Sequence, residues 1–367
     1  MKIIDNLVKA ALLGESVEYS NDIDESAVLD FALQNGIQPL LYYCLRQSES
    51  LEKCPELIRS VLEVEAKRQI AIDIFRLRNL QEVLQAFADQ NIVPLLIKGT
   101  PLSYLYYGDA STRPRCDTDL FIRKNDLSSL ETILTKLQYS RTNSVSGDLI
   151  RHQFVYSKPG PNGIGCDLDV HWKISNPILF ADMFSFDELQ STSIEIPQIS
   201  RYARTLSPIN ALLLACVHRV AHHNANERLI WLYDIHLLAN QLTESDFEEF
   251  WKKTEQKQIR NICWNGLIAA KSWFNTRFSG SETELDTNHE PSAQYLRSDL
   301  QSLDLLSMNL KQLSLRYKIQ LLRENLFPPA NYMLQRYKVS QRFLLPGLYL
   351  HRSVVGAWKW FQQPRQK

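Results

Sequence analysis

The sequence predicts an α+β protein in which a small mixed sheet, drawn from about residues 90–200, is held between two helical regions. Three observations predict it. From Ser60 to Asp89, Leu62, Ala66, Ile70, Ile74, Leu77, Leu80, Leu84 and Phe87 recur at helical spacing with charges between them. The pattern then breaks into short continuous apolar runs bounded by glycine, proline and aspartate, which is strand grammar. From Ser207 onward the helical period returns. The chain therefore divides into an N-terminal helical region (1–90), a sheet-bearing core (91–200) and a C-terminal helical domain with a basic, aromatic tail (201–367).

Each element follows from local chemistry. Asp5 and Lys9 interrupt the first apolar run, which reads as an amphipathic helix rather than a leader core. Ile92 to Ile97 is a buried strand that stops at Lys98-Gly99. A helix over Pro101–Tyr107 is expected next, with Thr100 as its N-cap. Asp117 to Ile122 is a second strand, and Asp126 to Leu137 a helix. Arg151–Ser157 and Ile164–Trp172 read as a hairpin or meander around the turn-rich segment 158–163. Four helices are expected over Ala211–His223, Glu227–Leu242, Ser245–Lys257 and Ile259–Phe274, then a polar surface loop over Gly280–Ser292.

Bulk properties narrow the classes. Forty-one basic and 41 acidic residues leave no net charge, and 44% of residues are hydrophobic. No apolar run reaches membrane-spanning length. The six cysteines form no CxxC pair, which argues against a disulfide framework or a zinc ribbon and for a reduced, cytoplasmic setting.

The chemistry concentrates in RPRCDTDLFI and GCDLDVHW. Side chains two apart on a strand share a face, so Asp117 and Asp119 point one way while Thr118 and Leu120 point the other. Asp167, Asp169 and His171 share a face in the same manner. If the two strands are neighbours, the carboxylates converge, and like charges in one partly desolvated site cannot all remain ionised without cations. Oxygen ligands in this number suit Mg²⁺ or Mn²⁺. Taken alone, Asp-x-Asp is equally turn chemistry, and Asp167 reads as a solvated strand residue. Upstream, Lys98-Gly99-Thr100 joins a strand to a helix, a junction where backbone N–H groups can approach an anion.

An apolar strand, Gly99-Thr100, Asp117-Thr118-Asp119 and Leu168-Asp169-Val170, in that order, resemble the polymerase-beta-type nucleotidyltransferase superfamily. LLIKGTPLSYLYYGDASTRPRCDTDLFI and DLDVHW are more closely similar to an uncharacterised bacterial nucleotidyltransferase family with a Lys-Gly, an Arg-Pro-x-x-Asp-x-Asp and an Asp-x-His-Trp. LSPINALLLACVHRVAHH and RLIWLYDIHLLA resemble its helical half, and the likeness covers roughly residues 30–250. It implies a minimal nucleotidyltransferase sheet and transfer of an NMP, AMP foremost, from an NTP to a hydroxyl or phosphate acceptor with two Mg²⁺ (or Mn²⁺) ions. Asp117, Asp119 and Asp169 would be catalytic and metal-binding. Lys98, Gly99, Thr100 and Arg113 would meet the nucleotide. The acceptor is a small molecule, peptide or protein in preference to nucleic acid. Thr100 stands where the superfamily has Ser or Gly, and the interval from Gly99 to Asp117 is longer than usual there. A regulatory protein without turnover and a kinase-like phosphotransferase are the alternatives on the same scaffold.

Other candidates are less specific. His218 and His222 lie at i, i+4, a zinc-compatible spacing, but the glutamate of HExxH is absent, and a polar helix face lining the cleft, or buried histidines with hydrogen-bond partners, is the better reading. His222 and Asp234 are candidate substrate contacts. His171 either orients a metal-bound water or packs beside Trp172. Beyond Glu324 the chain has no acidic residue, and its cations alternate with aromatic residues. Such a tail suits single-stranded nucleic acid or an anionic membrane surface. Helices of this kind more often pack their aromatic residues on the protein and leave the charges solvated, and that is the reading preferred here.

Overall fold

A computed structural model describes residues 2–19, 23–142, 145, 149–221, 227–280, 290–297, 300 and 302–362. Helices α1 (Lys2–Leu12), α2 (Glu25–Gln34), α3 (Gln38–Gln47) and α4 (Glu56–Ala88) come first. The middle of the chain holds β1 (Leu95–Ile97), α5 (Gly99–Leu105), β2 (Thr118–Phe121), α6 (Leu127–Lys136), β3 (Ser140–Arg141), β4 (Gln153–Lys158) and β5 (Cys166–His171). It ends in α7 (Ile178–Ala181), α8 (Phe186–Ser191), β6 (Ile194–Glu195) and β7 (Arg204–Thr205). Then follow α9 (Pro208–Ala221), α10 (Leu229–Ala239), α11 (Glu244–Gln256), α12 (Arg260–Phe274), α13 (Ser302–Lys311), α14 (Leu315–Leu326), α15 (Ala330–Arg336) and α16 (Leu345–Gln362).

The fold is α+β with one mixed sheet in the order β3-β4-β5-β2-β1-β7-β6. β2 pairs antiparallel with β1 and parallel with β5, and β4 and β5 form the expected antiparallel hairpin. Strand alternation divides the sheet's two faces. Leu95, Ile97 and Phe121 join a core built with α1–α3 and α9–α12. Leu96, Leu120, Leu168 and Val170 join a second core with α4 and α6. Cross-strand partners share a face, so Asp119, paired with Ile97 on one side and Asp169 on the other, belongs to the face covered by the C-terminal helices.

Local signals explain several boundaries. Asp24 caps α2 by accepting from the Ala27 N–H, and Thr243 with Asp246 forms a capping box on α11. The cap of α5 departs from expectation: the helix starts at Gly99, with Lys98 as its N-cap. Thr100 is inside the helix because its hydroxyl donates to Thr118 Oγ1 at 3.3 Å rather than turning back to the helix backbone. β3, β6 and β7 are two residues long, too short to show a period in sequence. Most of the predicted loop at 280–292 lies outside the described residues, and Pro291–Leu296 is a 3₁₀ helix.

The tail folds mainly on itself. Tyr349 donates to the Pro328 carbonyl at 2.8 Å and packs its ring on Phe327, and Tyr337 packs on His351. Phe343, by contrast, is 79% exposed. The reading in which the aromatic residues pack inward therefore holds for only part of the tail.

Candidate active site

The strand register decides where the carboxylates lie. In parallel strands β2 and β5, Asp119 is directly opposite Asp169 and Phe121 opposite His171. His171 Nε2 reaches Asp119 Oδ1 at 2.8 Å, and Lys98 Nζ reaches the same oxygen at 2.5 Å. One ligating atom from each of Asp119, Asp169 and His171 lies within 4.8 Å of the others. Asp117, one residue ahead of β2, is outside that compact group, but its charge is felt by Asp169.

Lys98 arrives there through an unusual backbone. It follows β1 with φ 58° and ψ −132°, a left-handed conformation that side chains rarely adopt. Such strain costs on the order of 1–3 kcal/mol and persists where the surroundings over-determine it. Here the ammonium is held by Asp119, with His171 Nε2 3.4 Å away on the same carboxylate oxygen. Gly99 is required for a different reason: a Cβ there would stand 2.3 Å from Arg113 Nη1.

Arg113 cannot retreat from Gly99. Its Nε and Nη2 donate to the two oxygens of Asp234 at 2.8 and 2.6 Å, and Tyr107 donates to the same carboxylate at 2.7 Å. All three side chains are buried. The bidentate pair ties the loop before β2 to α10. Arg113 and Asp234, read separately from the sequence as nucleotide and substrate contacts, thus meet each other, at the wall of a mostly apolar cavity shared with Lys98, His218 and Trp231. The Thr100 hydroxyl, bonded to Thr118, points away from the carboxylates by strand alternation. His222 lies outside the described residues.

Three supporting residues had little or no signal in the sequence. Gln153 donates to Asp169 Oδ2 at 2.7 Å, and Asn176 donates to Gln153 Oε1 at 3.1 Å. Gln153 is opposite His171 across the hairpin, so a polar residue on the inward face of β4 was the available clue. Tyr107, within a run of tyrosines, offered none.

Electrostatics divides the carboxylates. Burial raises the Asp117 carboxyl to about 6, helped by the charge of Asp119. Burial raises Asp169 to about 7, with Asp119 and then Asp117 adding to it. For Asp119 burial also acts upward, but the Lys98 ammonium and the His171 hydrogen bond outweigh it and hold the group well below the usual carboxylate range. Burial, then the Lys98 charge, lowers His171 to about 4, so the ring is neutral at physiological pH. A neutral ring that donates from Nε2 to ionised Asp119 leaves Nδ1 a bare acceptor, and that buried atom has no hydrogen-bond partner.

Two carboxylates and an imidazole make a donor set of hard oxygens plus one nitrogen, which fits a divalent cation such as Mg²⁺ or Mn²⁺. Gln153 occupies only one oxygen of Asp169 and so leaves the other available.

Comparison with known proteins bears on the same residues. No curated protein matches the chain in sequence. Among solved structures, the antibiotic-resistance factor ANT(2'')-Ia is 15% identical, with a TM-score of 0.37 over 50% of this chain and 94% of that one. An antigenic nucleotidyltransferase-like protein from Paracoccidioides brasiliensis is 14% identical, with a TM-score of 0.34 over 54% of this chain and 93% of its own. JHP933 from Helicobacter pylori is 14% identical, with a TM-score of 0.32 over 68% and 97%. These likenesses are too distant to assign an activity. A family profile is more direct: it matches residues 21–275, well over half of the chain, and takes in the Lys98 turn, both acidic strands and α9 to α12. With its paired acidic strands inside that span, the chain belongs to a family of uncharacterised nucleotidyltransferases, and is a transferase.

Proposed function

We propose that the protein transfers an NMP, AMP foremost, from an NTP to a hydroxyl or phosphate acceptor in the cytoplasm, with Mg²⁺ or Mn²⁺ held by Asp119 and Asp169. The observation that carries this reading is the parallel register that sets Asp119 opposite Asp169, with Lys98 and His171 on the same oxygen of Asp119. Asp117 completes the acidic rim, and His171 is either a third ligand or the group that orients Asp119. When bound, the divalent ions supply charge neutralisation for the attacking oxygen and the departing pyrophosphate. Lys98 and the Gly99-Thr100 backbone face the phosphates with positive charge, while Arg113, its charge matched by Asp234, backs Gly99 and is not a phosphate contact.

The chemistry is an exchange of one P–O bond for another. The acceptor oxygen bonds to the α-phosphorus, the bond to pyrophosphate breaks, and the acceptor proton passes to Asp169. Gln153 fixes one oxygen of Asp169, so the other is presented in a single orientation. The acceptor is a small molecule, peptide or protein.

Calorimetric titration with ATP, GTP, CTP and UTP, with and without Mg²⁺, tests the reading on wild type and Asp119→Asn. Magnesium-dependent binding of at least one NTP is expected, and the variant should lose it while its circular dichroism is unchanged. Binding that ignores both the metal and the substitution would refute the assignment. Label on the α-phosphate that reaches the acceptor marks nucleotidyl transfer, and label moved only from the γ-phosphate marks a kinase.

A further inference from the structure

Most of the large apolar side chains exposed among the described residues lie past residue 300, and they are not scattered. On α14, Leu315, Ile319, Leu322 and Leu326 recur at i, i+4, i+7 and i+11, the spacing of one helix face. They are 73%, 60%, 40% and 42% exposed. Leu321, at a different angle, is buried and attaches the helix. Phe343, Leu350 and Val354 repeat the pattern ahead of and along α16 at i, i+7 and i+11, and are 79%, 68% and 60% exposed. α16 packs on both α14 and α15, so the two stripes belong to one small helical unit.

Cations border these stripes. Arg316, Lys318 and Arg323 are on α14, and Arg336, Lys338, Arg342 and Arg352 follow. The last acidic residue, Glu324, is held against the body of the protein, where it accepts from the Leu149 N–H at 2.9 Å. Apolar stripes edged by basic residues fit a partner that is apolar in depth and negative at its surface. Self-pairing through the stripes would bring these cations together without carboxylates to offset them. Single-stranded nucleic acid is bound by cations with stacking aromatic rings, whereas the α14 stripe is purely aliphatic. Among the described residues no helix is long and apolar enough to cross a membrane, so a bilayer would be met at its surface.

We infer that α14 to α16 dock the protein on the surface of an anionic lipid bilayer. The stripes enter the headgroup–acyl boundary, and the flanking arginines and lysines meet the lipid phosphates. This inference is independent of the reaction assigned to Asp119 and Asp169.

The experiment is vesicle flotation of the full chain. One set of vesicles is pure phosphatidylcholine, and the other contains about one third phosphatidylglycerol. Binding is expected on the anionic vesicles only and should weaken as salt rises. Ile319→Asn/Leu322→Asn should lower the partition constant at least about tenfold, and Arg342→Glu/Arg352→Glu should abolish the preference for anionic lipid. Each changed side chain is at the surface or only partly buried, so unchanged thermal midpoints are expected. Absence of binding to anionic vesicles, or equal binding by both variants, would overturn the inference. So would a wild-type dimer, or a complex with oligouridylate, that the same substitutions dissolve in the absence of vesicle binding.

Discussion

Asp169 holds its proton to about 7 in the folded chain, against 3.8 for an unperturbed aspartate. Between those values the native state binds more protons at this position than the unfolded state does. The stability Asp169 contributes is therefore complete below about pH 4 and lost as pH rises through about 7. Asp117 acts in the same direction up to about 6. His171 and His236 oppose it: burial lowers both to about 4, so their stability is present above 6.5 and lost as pH falls. These contributions cancel over part of the range, so the clean measurement is a difference. In the presence of a chelator, Asp169→Asn should gain on wild type in thermal midpoint as pH rises from about 4 to about 7, then run parallel to it. A constant difference across that range would show that Asp169 ionises normally. Adding Mg²⁺ above pH 7 should raise wild type and leave the variant unmoved.

At the scale of elements, the Arg113–Asp234 pair joins the loop ahead of β2 to α10, across 121 positions of sequence. Removing one partner leaves a buried charge uncompensated, so Asp234→Ala should cost about 3–5 kcal/mol. Arg113→Met/Asp234→Leu should recover most of that loss in denaturant unfolding, because a well-packed apolar pair can replace a buried ion pair. A double variant as unstable as the single one would show that Tyr107, left without its acceptor, carries the cost instead. The same pair marks what the sequence could and could not disclose. β1, β2, β4 and β5 were legible because apolar runs and alternation encode a strand and its inward face. The convergence of Asp119 with Asp169 followed once those strands were neighbours, but their parallel register is a property of the sheet. Nothing local in RPRCDTDLFI or RLIWLYDIHLLA announces that Arg113 and Asp234 meet, since helix packing brings them together. The backbone of Lys98 was equally hidden, because positive φ at a lysine has no compositional sign.

For the whole molecule, one core unites α1–α3, one face of the sheet and α9–α12, and α13 adds Leu305 and Met308 to it. The tail beyond contributes little: among residues 314–356, only Leu321, Pro328 and Met333 are buried. Its ties to the body include the Glu324 contact with Leu149. A chain ending at Leu313 should therefore unfold within a few degrees of the full protein, since a ΔΔG of about 1 kcal/mol shifts a large domain by only about 2–4 °C. It should also keep any magnesium-dependent NTP binding. A drop well beyond that range, measured by circular dichroism, would mean that the tail is part of the central core.

The ammonium of Lys98 has a consequence for the order of events during synthesis. Many acidic metal centres are assembled by the ion itself, because crowded carboxylates repel one another until it arrives, and the fold then depends on the metal supply. Here the most deeply buried carboxylate of the acidic cluster is neutralised by a cation that follows the neighbouring strand, in a positive-φ backbone conformation. With that charge balanced from within the chain, closing the sheet would not require a metal ion. A divalent ion held by Asp119 and Asp169 would have to displace this tethered ammonium, so its affinity would carry the cost of releasing Lys98.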